Sequence, residues 1–211
     1  MARLNRKPEV QKPDDDAKAR IVSAARQAFA RVGFEGASTR QISAEARVAQ
    51  SLVLYHFGSK ATLWRVVMDD LFHSLGRQLA PLWESDLDHP AAERLMMFVR
   101  TLISICAKDP DIHRIMTIEG RQPSERLSWL VDRYLRDAYQ QIRELIRSGQ
   151  ADGTVRKGNP TLIYYSIIAI AGTTFSLAPE IALVSGDANA VDPVAIEALI
   201  RSFLLIKKRD N

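Results

Sequence analysis

The sequence predicts an all-α protein built from a small N-terminal three-helix unit followed by a larger helical domain. Apolar residues recur at i, i+3, i+4 spacing along most of the chain, the pattern of amphipathic helices. No run alternates apolar and polar residues between turn signals, as a half-buried strand does. Charge is uneven as well. Residues 1–60 hold 11 Lys and Arg against 6 Asp and Glu, a net of +5, whereas residues 61–211 hold 18 against 19. Positive charge gathered in the first quarter points to a polyanionic partner for that part.

With 211 residues and 46% hydrophobic content, the chain can bury a real core. Its 26% charged residues exclude a disordered composition. Cys106 is the single cysteine, so no internal disulfide forms, which fits a reducing cytoplasm. The opening MARLNRKPEVQKPDDD has no apolar stretch and is not a secretory signal. The four histidines, His56, His73, His89 and His113, lack metal-ligand spacing. There is no phosphate-binding glycine loop and no nucleophile elbow. Cys106 reads as a small core hydrophobe. Neither catalysis nor a metal or cofactor is expected.

Taken in order, residues 1–15 read as a flexible basic tail, with Arg3, Arg6, Lys7, Lys12 and two prolines. Residues 16–60 form the N-terminal domain. Its first helix covers 16–32, with Ile21, Ala24, Ala25, Ala28, Phe29 and Val32 as its apolar stripe. Gly33 and Gly36 are expected to end it. A short helix over 40–46 is capped by Thr39 or Ser38. A second short one runs from about 48 to Gly58. Residues 61–211 make the larger domain. A helix follows Ser59 and breaks between Pro81 and Pro90. Further helices cover 91–107, 111–120, 124–148 (ending at Gly149), 161–176 and 193–207. ADGTVRKGNP is expected as a loop, and 179–192 as a short element with a loop.

The two short helices, STRQISAEARVAQSLVLYHF, joined tightly at Arg47-Val48-Ala49, make a helix-turn-helix. Ile42, Ala46, Val48, Val53 and Phe57 are spaced to hold the pair together. Gln50, Ser51, Leu52, Tyr55 and His56 are left facing outward. A DNA major groove admits one helix, and only its first turns need reach base edges. Gln50 suits adenine or other base edges, Ser51 donates or accepts, and Leu52 suits a thymine methyl. Thr39, Arg40, Tyr55, His56 and Lys60 lie where phosphates would pass. The competing readings are Tyr55 packed on the first helix, His56 capping its own helix, and Leu54, ahead of Leu52, as a core residue.

From Ala19 to Trp64 the chain resembles the DNA-binding domain of the TetR (tetracycline repressor) family. The matching residues are AARQAFARVGFEGASTRQISAEA and then V-x-x-S-x-V-x-YHF-GSK-x-x-LW. The resemblance implies an all-helical, homodimeric, one-component regulator. Its N-terminal helices would bind operator DNA, and its larger domain would bind a small-molecule effector and dimerise. The chain departs from the family pattern at Arg47, where glycine is usual, and at Leu54, where tyrosine is frequent. The Arg47 substitution implies a differently shaped turn.

In the larger domain, SGQADGTVRKGNPTLIYYSIIAIAG resembles the loop and penultimate helix of many family members. Residues 161–179 carry no charge, long enough for a membrane span. Their threonines, tyrosines, serine and glycine fit a subunit interface better, so no membrane is expected. Tyr165, Ala169, Gly172 and Ser176, with Ile196, Leu199, Ile200 and Phe203 of the last helix, are the expected dimer contacts. Candidates for the effector pocket are Phe98, Cys106, His113, Met116, Glu119, Trp129, Tyr134, Tyr164 and Tyr165. Glu119 stands out as a charge on a largely apolar helix.

Overall fold

The structure, a computed structural model, describes residues 13–84 and 89–206. Most of the expected basic tail lies outside them. Two compact units meet in sequence between Asp70 and Leu71. The elements are α1 (Pro13–Gly36), α2 (Thr39–Glu45), α3 (Gln50–Phe57), α4 (Lys60–Glu84), α5 (Ala91–Lys108), α6 (Asp111–Glu119), α7 (Glu125–Leu130), a π-turn (Val131–Leu135), α8 (Arg136–Ala151), α9 (Pro160–Ser176), α10 (Ala178–Ser185) and α11 (Pro193–Leu204).

In the first unit, α1 begins at Pro13, before its expected start, because proline's fixed φ suits a first helical turn. Gly33 (φ 69°) breaks the helical path as expected, and the chain resumes helix to Gly36. Ile21, Ala24, Ala25, Ala28 and Phe29 are buried, but Val32 is half exposed. Phe34 bridges the core, its ring 6.1 Å from Phe29 and 6.3 Å from Trp64.

In the second unit α5 is central, packed against α8, α9 and α11. Leu95, Phe98, Val99, Ile142, Ile146, Ile167, Ile200 and Leu204 form the core. Helix α4 runs through Pro81 and ends at Glu84, inside the interval between Pro81 and Pro90 where the break is expected. The segment expected as one helix over 124–148 is α7, the π-turn and α8. Inward residues Leu130, Tyr134, Ala138 and Ile142 fall four apart, which outruns a 3.6-residue turn, and the wider π-turn absorbs the drift.

Helix α8 passes through Gly149 instead of ending there. The glycine serves close approach, since a Cβ on Gly149 would collide with Val155. Val155 pairs with Leu205 in an isolated bridge. Arg156 N donates to Leu204 O and Ile206 N to Thr154 O. That bridge ends α11 before its expected end and ties it to the loop after α8. Among the described residues no single helix is long and apolar enough to cross a membrane; α9 and α10 together pass on composition but bend by 71°.

Candidate functional site

Helices α2 and α3 form the expected helix-turn-helix. Ser38, one of the two expected caps, accepts a bond from Gln41 N. Ile42, Ala46, Val53 and Phe57 are buried, and Val48 is half-buried. Gly58 closes α3 at φ 70°, a conformation glycine adopts without steric cost. The turn keeps the left-handed shape despite its side chain: Arg47 has φ 55° and is the one non-glycine residue with positive φ among the described residues. The expectation of a differently shaped turn is therefore corrected. The strain stays because Val48 N to Ser43 O and Arg47 N to Ala44 O close the turn around it. Arg47→Gly is expected to raise unfolding stability by about 0.5–1 kcal/mol, strain relief less the added chain entropy. Urea denaturation of the two proteins checks it.

The outer face of α3 carries Gln50, Ser51 and Tyr55, all exposed, with Leu52 and His56 half-buried. Tyr55 is 78% exposed and does not pack on α1. Leu54, read as the likelier core leucine, is 46% exposed, so the order of the two leucines is reversed. With Val53 and Phe57 pointing inward, position 54 falls on the flank of that face, about 80° from its centre, and its side chain reaches solvent. His56 lies against the Tyr55 ring, centroids 5.2 Å apart. Gln50 Nε2 donates to Thr39 Oγ1 at 3.2 Å, joining the first residues of α2 and α3. Arg40 is exposed beside them.

Lys60 is engaged inward. Its Nζ donates to Phe34 O at 2.8 Å and Ala37 O at 3.0 Å, and lies 4.3 Å from the Phe34 ring centroid. Two of the three ammonium donors thus hold the chain after Gly33, from the last turn of α1 into the link to α2.

The candidate effector residues do not converge. Phe98 is buried in the core, stacked on Tyr164 at 6.4 Å. Burial pushes the Tyr164 phenol up to about 12 and the Cys106 thiol up to about 11. Tyr134 lies flat on Phe72 at 4.6 Å with Trp129 at its edge. Met116 is half-buried, and Tyr165 is exposed. Glu119 is buried and paired with Arg126 at 3.1 Å; the ion pair accounts for a charge on that helix. His113 Nε2 meets Thr173 Oγ1 at 3.2 Å, and burial lowers its pKa. None of the nine residues lines the groove beside Trp83 and Arg94 or the one beside Lys18 and Arg26.

The expected dimer face needs correcting. Gly172, Ile196 and Ile200 are buried within the chain's own core, and Ser176 is half-buried, its carbonyl accepting from Arg114. Gly172 is small because His113 sits on it, not to admit a partner helix. Tyr165, Ala169 and Leu199 are exposed and Phe203 half-buried. Exposed Leu162 continues this strip on α9 and exposed Val194 on α11. The 162, 165, 169 spacing held that signal.

The family model for bacterial regulatory proteins of the tetR family matches residues 21–67. The model for the tetracyclin repressor-like C-terminal domain matches residues 88–199, more than half the chain. The chain belongs to the TetR family. This TetR-family member is similar to the HTH-type transcriptional repressor NicS of Pseudomonas putida, 28% identical over 138 residues, 64% of each chain. The match therefore spans just under two thirds of that relative. The HTH-type transcriptional regulator RutR of Escherichia coli O157:H7 is 25% identical over 166 residues, 79% of this chain and 77% of RutR. The structure of AibR in complex with isovaleryl coenzyme A and operator DNA shares the fold, with a TM-score of 0.71 at 16% identity over 89% of this chain and 97% of that one. The TetR-family assignment makes the chain a DNA-binding transcriptional regulator, with α3 as the second helix of its helix-turn-helix.

Proposed function

We propose that the protein is a repressor that binds a near-palindromic operator as a homodimer and releases it when a small-molecule effector binds. One observation carries this reading. Helix α3 buries Val53 and Phe57 and offers Gln50, Ser51 and Tyr55 to solvent, the split a groove-reading helix needs. In this reading Gln50, Ser51 and Leu52 face base edges, while Thr39, Arg40, Tyr55 and His56 position the backbone. The exposed strip Leu162, Tyr165, Ala169 with Val194 and Leu199 supports pairing of two copies through α9 and α11. Two copies of α3 then meet half-sites one helical turn apart, about 34 Å. The NicS relative is a repressor and the AibR structure holds both an acyl-coenzyme A and operator DNA, which supports repression relieved by a ligand. The effector acts only through a difference in affinity for the DNA-competent and incompetent shapes.

Fluorescence anisotropy on DNA from the region upstream of the protein's own coding sequence, with competitor DNA present, tests the reading. Tight, salt-sensitive binding is expected. Tyr55→Ala is expected to weaken it by about tenfold, a loss of roughly 1.4 kcal/mol. Binding no tighter than to random DNA, there and in a genome-wide selection of bound fragments, would sink the proposal.

A further inference from the structure

A groove of about 580 Å³ opens between the end of α4, the start of α5 and the middle of α8. Its volume falls in the range of small-molecule sites, roughly 300–1,000 Å³. Trp83 and Leu145 supply apolar wall, and Gln140, Gln141 and Glu144 supply polar groups. The remaining charged side chain is Arg94. It is half-buried, and among the described residues its guanidinium makes one long bond, Nη2 to the Leu82 carbonyl at 3.4 Å. Its Nε–H is buried and has no hydrogen-bond partner among the described residues. Buried polar groups are ordinarily satisfied, and a guanidinium out of water normally finds a carboxylate. The carboxylate on the same wall, Glu144, pairs instead with Arg147 at 3.1 Å. The groove thus holds one cation with an unused donor beside an indole and a leucine.

We propose that this groove is the effector site and that its ligand is an apolar carboxylate, the acid group held by Arg94 and the hydrocarbon body laid against Trp83 and Leu145. The proposal rests on the ligand-responsive reading above and adds the place and the chemical class. A planar carboxylate matches the fork of Nε–H and Nη–H donors once the guanidinium, whose Nε–H is covered in the unbound chain, turns from the Leu82 carbonyl into the groove, while the apolar lining selects an aromatic or aliphatic body over a sugar or a free phosphate. Gln140 and Gln141 are placed to settle a second polar group on the ligand.

The test is calorimetric titration of the full chain with phenylacetate and octanoate, each beside its neutral amide. Arg94→Gln and Arg94→Lys are titrated alongside, with thermal melts confirming that both fold. At least one acid is expected to bind saturably, with its amide about tenfold weaker or more. Arg94→Gln brings the acid down to the level of its amide, and Arg94→Lys restores part of the difference. No saturable binding of either acid up to about 10 mM overturns the proposal, and so does equal binding by wild type and Arg94→Gln. The same samples are added to the protein on its upstream DNA. An acid that binds through Arg94 without releasing DNA leaves the carboxylate site standing and overturns the regulatory reading. DNA binding that persists with no acid bound overturns the site and leaves the DNA-binding head intact.

Discussion

Gly172→Ala is expected to destabilise the larger unit by about 1–3 kcal/mol, the cost of overpacking a filled core. The glycine is buried on α9, and a methyl group there would fall inside the His113 imidazole. The ring has little room to retreat, because it is half-buried and tied to Thr173. Its neighbour Arg114 is bonded to the Ser176 carbonyl and paired with Asp111, so α6 is tied to α9 just beyond the contact. The effect has a specific signature. His113→Ala alone removes packing and a hydrogen bond, and costs stability in its own right. In the double variant the two losses are expected to overlap strongly, because the methyl group then occupies space the ring has vacated. Urea denaturation of all four proteins measures that coupling. Additive losses would mean that the contact is not where the strain arises.

Lys60→Met is expected to lower both stability and DNA affinity while leaving the salt dependence of DNA binding unchanged. The side chain holds the Phe34 and Ala37 carbonyls, and hydrogen bonds from a charged donor contribute about 1.5–3 kcal/mol each at most; Lys60 is only half-buried, so a total near the lower figure is expected. Methionine keeps an unbranched stem of similar length beside Phe34 and removes the ammonium donors. The chain between α1 and α2 then loosens, and with it the placement of Thr39 and Arg40. Affinity for operator is expected to fall by about tenfold. A residue whose main part is to grip a phosphate behaves differently: its loss lowers the slope of log K against log salt by about 0.9. Arg40→Ala, an exposed cation on the same unit, provides that comparison in one experiment. A slope change for Lys60→Met matching that of Arg40→Ala would assign Lys60 to the phosphate backbone instead.

The helix-turn-helix was legible because its signals are local. Val53 and Phe57 face inward by spacing alone, Ser38 lies where a cap is needed, and Gly58 stops α3 where the pattern stops. Leu54 was misjudged because a short helix offers only two turns of periodicity, and one residue of phase moves a side chain from core to surface. The role of Gly172 was not legible. Its small size suggested room for a second helix, yet the group filling that space is His113, far away in sequence and on another element. Gly149 was misread for the same reason: a glycine after a helical run looks like a terminator, and only the return of Val155 shows that the missing Cβ is what matters. The effector residues were chosen for chemical character, and most proved to be packing. Arg94 carries no signal in the sequence, since a lone arginine at the start of an amphipathic helix looks solvated; its burial is visible only in three dimensions.

The turn at Val131–Leu135 holds one residue more than an α-turn needs. In the language of alignment, it is a place where the chain can lose a residue without losing its frame. A deletion inside an ordinary helix rotates everything downstream by about 100° and carries the apolar face out of the core. A deletion inside this turn would let it close to an α-turn, leaving Leu130 buried on one side and Ile142, Leu145 and Ile146 on the other still turned into the core. Length variation in this rod is therefore tolerated at five positions and punished on either side of them.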